Sequence, residues 1–191
     1  MQAVRKPIID KNQRYTYDDY CTWDDSERWE LIDGIPYAMA PPAPSYFHQS
    51  ISSNIHVQIG QFLRGKPCKI FSAPFDVRLN YKSKNNTVVQ PDLVVICDKS
   101  KLDDKGCLGA PDMVVEIMSP STISRDVFEK YGLYLKAGVR EYWLVDPDAK
   151  TVITHILNDG VYSGRLYEQN DIVPVFVLEG CNVDLGEVFD E

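Results

Sequence analysis

The hydrophobic pattern in the second half of the chain predicts a strand, a helix and another strand in succession. Residues 113–118 are apolar except for Glu116, which is typical of a strand buried on both faces. Apolar residues then recur at helical spacing over 126–137, and Gly138 ends that pattern. The run 141–146 predicts the second strand. Because the connections are short, we expect a right-handed crossover between parallel strands.

The first half of the chain predicts a mixture of helices and strands. Asp33-Gly34 lies between two apolar runs, which is a strong hairpin signal. Ile51, Ile55 and Ile59 form one apolar stripe of a helix. In chain order, the predicted elements are a short helix at 16–23, a hairpin at 28–39, a helix at 46–64, strands at 69–80 and 88–97 joined by a polar loop, and a charged surface loop at 99–109.

The C-terminal part of the chain predicts three further short strands. They cover 151–157, 160–167 and 173–178, and Asn158-Asp159-Gly160 predicts the first turn. Alternating strands and helices through 110–146 predict an α/β fold with a central mixed sheet flanked by helices and a β-rich C-terminal extension. We expect residues 1–15 to be a loose segment and 16–191 to form a single domain.

The charge of the chain argues against a protein that coats nucleic acid without regard to sequence. The formal net charge is -8 and the sequence pI is about 4.9, so broad electrostatic attraction to phosphates is weak. A nucleic-acid enzyme stays open, because acidic metal ligands add negative charge. A local basic rim also acts over a Debye length of about 8–10 Å.

The cysteine content predicts a reduced protein. Five cysteines are an odd number for 191 residues and include no CxxC pair, so we expect neither a disulfide framework nor a zinc site. The basic N-terminus is not followed by a hydrophobic run, so the sequence does not favour secretion. It also lacks an 18-residue apolar stretch, so it does not favour a membrane span. We therefore expect a cytoplasmic protein without a membrane partner.

Two acidic residues lie in strands that are predicted to be buried. Asp92 stands in the apolar run 88–97, as Glu116 does in its own strand. Desolvating an unpaired charge costs several kcal/mol or more, so each acid must be neutralised, paired or bound to a metal. Separated by one connecting segment, the two acids predict one shared site.

A lysine near two such acids is the combination that phosphodiester hydrolysis requires. A divalent cation polarises the phosphate and activates water, carboxylate oxygens hold the cation, and a lysine stabilises charge. Lys130 lies between Val127 and Tyr134 at helical spacing, which places it at the edge of the packed helix face. Its ammonium is then within reach of Glu116.

The ordered set of motifs resembles the PD-(D/E)XK nuclease superfamily and, more closely, the bacterial Uma family of restriction-endonuclease-like proteins. The resemblance runs from about residue 16 to the C-terminus. The matching pieces are Trp29 to Gly34, His48, Gln90-Pro91-Asp92 with the strand after it, Val115 to Ser121, Asp126 with Lys130 and Tyr134, and Ala137 to Pro147.

The resemblance implies a metal-dependent endonuclease that hydrolyses DNA and uses Mg²⁺, with Mn²⁺ as an alternative. It implies metal ligation by Asp92, Glu116 and the carbonyl of Ile117, a catalytic role for Lys130, a position for Glu30 at the rim of the site, and a further candidate in His48. One position departs from the parent motif. Met118 stands where the superfamily has lysine, and in the Uma family that lysine is displaced to the following helix, which maps to Lys130.

Each candidate residue also has a structural interpretation. Asp92 follows a proline and is able to end a turn, and Lys130 is able to pair with Asp126 on a helix surface. Glu30 alternates with apolar neighbours as a solvated strand residue does, and His48 is typical of a core-edge histidine. A second Pro-Asp pair ends in Asp112, at the start of its strand, where solvent and turn geometry explain it better than ligation does.

Two further expectations concern the class of function and the assembly. A non-catalytic nucleic-acid-binding or interaction module that kept the nuclease fold is the alternative to an enzyme, and the acidity of the chain favours it. Edge strands in the tail, together with Tyr162, Tyr167 and Phe176 as exposed aromatic residues, predict a homodimer.

Overall fold

The computed structural model of the chain describes residues 10, 13–23, 28–39, 45–119 and 129–190. The helices are α1 (Tyr17–Tyr20), α2 (Tyr46–Phe62), α3 (Tyr131–Ala137) and α4 (Leu185–Val188), with a 3-10 helix at Lys99–Lys101. The strands are β1 (Arg28–Ile32), β2 (Ile35–Met39), β3 (Lys69–Ser72), β4 (Val77–Arg78), β5 (Val88–Val89), β6 (Leu93–Ile96), β7 (Leu102–Asp103), β8 (Gly106–Leu108), β9 (Met113–Ile117), β10 (Glu141–Asp146), β11 (Thr151–Asn158), β12 (Val161–Glu168), β13 (Ile172–Pro174) and β14 (Asn182–Asp184).

The predicted α/β class is confirmed, and the strands divide between two mixed sheets and one short pair. The first sheet has the order β2-β1-β5-β4-β8-β7, and the second has the order β12-β11-β10-β9-β6-β3. The predicted parallel pair is present as β9 and β10, with Glu116 opposite Leu144. The tail strands β11 and β12 extend the second sheet at one edge, as expected.

The second sheet is covered on both faces, and this explains its apolar strands. Val115 and Ile117 belong to the core on the α2 side, together with Ile51, Ile55 and Ile59. On the opposite face, Val94 and Val114 pack with Tyr134 of α3 and with Tyr142. Side chains alternate along a strand, so Glu116 faces α3 while its neighbour Ile117 faces α2.

Several local predictions are confirmed by capping and turn geometry. Thr16 and Asp19 form a capping box at the start of α1. Asp33 and Gly34 both adopt positive φ, at 48° and 81°, as the tight hairpin turn requires. The helix predicted at 46–64 is α2, capped by Ser45. The first part of the helix predicted at 126–137, including Asp126, lies outside the described residues.

Both strands predicted before the site are split between the two sheets. The run 69–80 forms β3 and β4, and the run 88–97 forms β5 and β6. Each run contains a proline at its break, Pro74 or Pro91, and proline lacks the N–H that a continuous ladder needs. The break before β6 is what places Asp92 at the end of a strand instead of inside one.

The prediction of a surface loop at 99–109 was wrong, because much of this segment is a hairpin of β7 and β8. Cys107 is buried, and its backbone N–H donates to the Asp76 carbonyl at 2.8 Å. Gly106 lies so close to that carbonyl that no side chain fits there. The predicted strand 173–178 is shortened to β13, which pairs with β14, and neither β14 nor α4 was predicted.

Three expectations about exposure and cysteine pairing also need correction. Cys68 and Cys97, neighbours across β3 and β6, are joined in a disulfide, against the expectation of a fully reduced chain. Tyr15 is buried and its backbone N–H donates to the Gly34 carbonyl at 3.0 Å, so the segment predicted to be loose is ordered at its end. Residues 1–9, 11 and 12 lie outside the described ranges. Tyr167 is only 7% exposed, whereas Phe176 is 54% exposed as predicted.

The third predicted surface aromatic, Tyr162, is half-buried, since its hydroxyl donates to the Val139 carbonyl at 2.8 Å. In the part of the chain that the structure describes, no helix has the length and apolar character needed to cross a membrane.

Candidate functional site

The centre of the candidate site is the carboxylate of Glu116 on β9. Lys130 Nζ lies 2.9 Å from Glu116 Oε1, and the Tyr134 hydroxyl donates to the same oxygen at 2.6 Å. Both donors come from the start of α3, four residues apart, so one helix turn presents them together. The sequence predicted the approach of Lys130 to Glu116, and the structure places the two side chains in contact.

Glu30 is a second carboxylate on the same lysine. Its Oε1 lies 3.0 Å from Lys130 Nζ. Glu30, Lys130 and Glu116 are 0%, 3% and 3% exposed, so Glu30 is not the solvated strand residue that its alternation with apolar neighbours allowed. The first sheet supplies Glu30 from β1, and the second sheet supplies Glu116 from β9. One buried ammonium therefore lies between two buried carboxylates.

Tyr134 acts in this cluster as a hydrogen-bond donor. Complete burial raises its pKa well above the ordinary value, and the nearby charges of Glu116 and Glu30 raise it further. The hydroxyl therefore stays protonated at neutral pH. The sequence placed Tyr134 on the packed helix face and in the family motif with Lys130, but assigned it no role in the site. Its i,i+4 spacing from Lys130 was the signal that both side chains point to one acid.

A second hydrogen-bond network, centred on Gln90, holds Glu30. The backbone N–H of Gln90 donates to Glu30 Oε1 at 3.0 Å. The Gln90 amide in turn donates to Asp76 Oδ1 at 2.8 Å and accepts from Arg28 Nε at 2.9 Å. Gln90 was missed as a site residue. Its place directly before Pro91-Asp92 was the available signal, but the pattern alone does not show which way it faces.

Asp92 and His48 lie at the other side of the Glu116–Ile117 peptide. The backbone N–H of Ile117 donates to Asp92 Oδ2 at 2.8 Å. His48 Nε2 lies 3.5 Å from the same oxygen and 3.2 Å from the Ile117 carbonyl oxygen. Both neighbours of Nε2 are acceptors, so we assign the ring proton to Nε2. His48, on the first turn of α2, thus joins the predicted site.

The two groups of residues meet because β6 and β9 pair antiparallel, with Leu93 opposite Val115. Extending this register by one residue sets Asp92 beside Glu116. The side chain of Asp92 is 22% exposed, in contrast to the buried Lys130 cluster. A cleft of about 210 Å³ opens there between Asp92, Ser72 and the polar side of α2. Solvent therefore reaches the site from the Asp92 side.

The oxygen donors at this point fit Mg²⁺ in type. Within the described ranges, no three histidine, cysteine, aspartate or glutamate side chains cluster as a metal site. Mg²⁺ does not need such a cluster, because it commonly keeps several waters and binds one or two carboxylates. Asp92, Glu116 and the Ile117 carbonyl provide two carboxylates and one further oxygen around a single peptide.

Asp112, which competed with Asp92, and Met118, which stands in place of the motif lysine, have other roles. Asp112 is buried, not solvated as expected, and it accepts from Arg140 Nη1 at 3.1 Å and from the Cys97 N–H at 2.8 Å. It therefore anchors the opposite end of β9. Met118 is half-buried and packs with the core on the α3 side. That position is apolar here, whereas the ammonium beside Glu116 comes from α3.

Comparisons with known proteins show which proteins the chain is similar to. A family model described as Uma2, putative restriction endonuclease, matches residues 16–186. An uncharacterized protein of Synechocystis sp. is 27% identical over 158 residues, which cover 81% of this chain and 80% of that protein.

A solved structure shares the fold. The crystal structure of a putative nuclease belonging to DUF820 from Anabaena variabilis matches with a TM-score of 0.73 and 21% identity, over 92% of this chain and 97% of that chain.

Proposed function

The chain belongs to the Uma2 family, described as putative restriction endonucleases, and on that premise we propose that it is a metal-dependent endonuclease that hydrolyses DNA. The observation that carries the proposal is the buried Lys130, held between Glu116 and Glu30. The more exposed Asp92 lies beside Glu116 in the register of β6 and β9. A lysine among acids at the end of two paired strands is costly for stability alone, so we assign it to chemistry.

The proposed metal ligands are Asp92, Glu116 and the carbonyl of Ile117, with Mg²⁺ as the cation and Mn²⁺ as an alternative. When bound, such a cation supplies polarisation of the phosphate and activation of water. Tyr134 fixes Glu116 through its short hydrogen bond, so it acts as a positioning residue. His48 holds a proton at Nε2 and orients Asp92 and the Ile117 carbonyl.

Lys130 is proposed to stabilise the charge that develops on the phosphate. Its ammonium is fixed in advance by two carboxylates, so little reorganisation is needed at the moment of reaction. Glu30 serves this role indirectly, because it holds the lysine in place while Glu116 takes part in ligation. Gln90 holds Glu30 through its backbone N–H.

Metal titration tests the ligand assignment with a matched control. Asp92→Asn should abolish Mg²⁺ binding in calorimetry and cleavage of plasmid DNA. Asp112→Asn changes the other Pro-Asp carboxylate, which is bonded to Arg140, and should leave Mg²⁺ affinity near wild type. Equal Mg²⁺ affinity in wild type and Asp92→Asn would remove the metal assignment.

The alternative is a non-catalytic nucleic-acid-binding or interaction module that kept the nuclease fold, and the net charge of -8 favours it. It predicts DNA binding without cleavage in Mg²⁺ and in Mn²⁺. Cleavage that is lost in Asp92→Asn would exclude this alternative, and the same substrate therefore serves both tests.

We also propose that the protein forms a homodimer. The support is β12, an eight-residue strand at the edge of the second sheet, together with the exposed Phe176. An unpaired edge offers backbone donors and acceptors to a second copy. Light scattering at micromolar concentration should give twice the monomer mass of 21.8 kDa, and a monomer would contradict the proposal.

A cytoplasmic location is the last proposal, and the Cys68–Cys97 disulfide is the feature that opposes it. Counting the alkylated cysteines after rapid alkylation of intact cells distinguishes a reduced Cys68 and Cys97 from an intact disulfide. Five alkylated cysteines are expected in a reducing compartment, whereas three would indicate that the disulfide persists there.

A further inference from the structure

A second cavity lies away from Asp92, between the first sheet, the turn after β4 and helix α3. It is open to solvent and has a volume of about 510 Å³, within the range of about 300–1,000 Å³ that small-molecule sites occupy. We propose that this cavity binds a nucleotide, with the phosphates held by lysines and the base against an aromatic and apolar wall. The inference is independent of the proposed endonuclease activity.

Three lysines from three separate elements line the cavity. Lys82 comes from the turn after β4, Lys101 from the 3-10 helix and Lys136 from α3. Lys101 Nζ donates to the Ala110 carbonyl at 2.8 Å, which fixes it and leaves two further N–H donors on the same ammonium. Such convergence of cations in a chain of net charge -8 favours an anionic ligand.

The wall beside these lysines suits a planar base. Tyr81 lines the cavity next to Lys82, whose Nζ lies 5.6 Å from the ring centroid. Leu79, Leu108 and Leu133 add apolar surface. Bases stack on aromatic side chains, so phosphate and base recognition are adjacent in one cavity.

Two acidic residues of the lining favour a nucleotide over an inorganic polyphosphate. Asp33 and Asp98 both line the cavity, and Asp98 Oδ1 already accepts from the Ser100 N–H at 2.9 Å. Carboxylates repel phosphate but accept hydrogen bonds from hydroxyl and amino groups. Ribose and base supply such donors, whereas a polyphosphate does not.

Calorimetry with adenosine 5′-triphosphate in EDTA tests the inference without any contribution from a metal at Asp92. We expect wild type to bind it, and the double variant Lys82→Ala, Lys136→Ala to bind at least about tenfold more weakly, since charge-assisted hydrogen bonds are lost. Both lysines are exposed, so the fold should persist. Tyr81→Ala should also weaken binding.

Lys99→Ala is the matched control, because Lys99 is an exposed lysine of the same 3-10 helix that does not line the cavity. It should bind like wild type, and so should Asp92→Asn. Equal affinity for tripolyphosphate and the nucleotide would overturn the role of the wall. Absence of binding at about 1 mM nucleotide, or an equal loss in Lys99→Ala, would overturn the site itself.

Discussion

Glu116 and Glu141 are buried acids on neighbouring parallel strands, and they are held in different ways. Glu116 on β9 accepts from two side chains, Lys130 and Tyr134. Glu141 on β10 accepts from the Trp143 indole at 2.7 Å and from the Phe176 and Val177 backbone N–H groups at 3.1 and 2.9 Å.

The difference separates a site from an anchor. Glu141 Oε1 and Oε2 are surrounded by donors fixed in the backbone and in the core, and this carboxylate ties the 176–177 turn to the sheet. Glu116 shares a cation with Glu30, and its donors are side chains of one helix. A carboxylate held by side chains, like Glu116, is able to change its hydrogen-bond partners when a cation or phosphate binds. The following predictions test this contrast with Glu141.

The largest expected effect on stability follows from removing the shared cation. Lys130→Met leaves Glu30 and Glu116 buried without their ammonium, and breaking such a pair from one side costs about 3–5 kcal/mol of unfolding free energy. Urea denaturation measures this. Lys136→Met, an exposed lysine of the same helix, should change the value by no more than about 0.5 kcal/mol.

A second change sharpens the result for Lys130. Adding Glu30→Gln to Lys130→Met removes one of the two uncompensated charges, so stability should partly return. Cleavage of DNA should stay low in the double variant, because the charge-stabilising ammonium is still missing. Wild-type cleavage in either folded variant would contradict the role assigned to Lys130.

Loss of the tyrosine donor should have a smaller effect. Tyr134→Phe removes a 2.6 Å hydrogen bond to a buried carboxylate, and hydrogen bonds to charged groups contribute about 1.5–3 kcal/mol. Thermal or urea unfolding should show that loss. Mg²⁺ affinity should also fall, by about 10–100-fold, if Tyr134 positions a metal ligand. An unchanged Mg²⁺ affinity would limit Tyr134 to a structural role.

The smallest effect concerns the pH dependence contributed by Glu141. Burial raises its pKa, although hydrogen bonds from Val177, Trp143 and Phe176 oppose the rise. The folded state therefore holds this proton more tightly than the unfolded state. Its contribution to the unfolding free energy is largest below the ordinary value of 4.5 and is lost as pH rises through the folded pKa.

Glu141→Gln cannot titrate, so it tests this dependence. Relative to the variant, wild type should lose stability as pH is raised through that window in a series of urea titrations. A relative gain in wild-type stability over the same window would contradict the assigned direction.

The sequence predicted the Lys130–Glu116 contact because helical spacing and strand pattern are local signals. The two-sheet architecture was harder to predict from the sequence. Pro74 and Pro91 mark where the strands break, but they do not show to which sheet each half of a broken strand belongs. The burial of Glu30 depends on that division. In a hairpin strand with alternating residues, one face is normally buried. Which face that is depends on the neighbouring sheet, and here it is the face that carries Glu30.

The disulfide and the Asp112–Arg140 pair were missed for a related reason. The disulfide depends on the register of β3 against β6, which places Cys97 beside Cys68, and the ion pair depends on the register of β9 against β10, which places Arg140 beside Asp112. Residues 68 and 97 are far apart in sequence, and no local pattern relates them. Contacts between distant segments therefore account for most of what the sequence did not reveal.

Matched isosteric changes in the two acids test the central claim most directly. Glu116→Gln and Glu141→Gln are to be compared in single-turnover cleavage of plasmid DNA with Mg²⁺, after folding of both is checked. We predict that Glu116→Gln lowers the rate by about 10²–10³, the loss typical when a preorganised charged group is removed, while Glu141→Gln stays near wild type. Equal rates in the two folded variants would contradict the assignment of Glu116 to the active site.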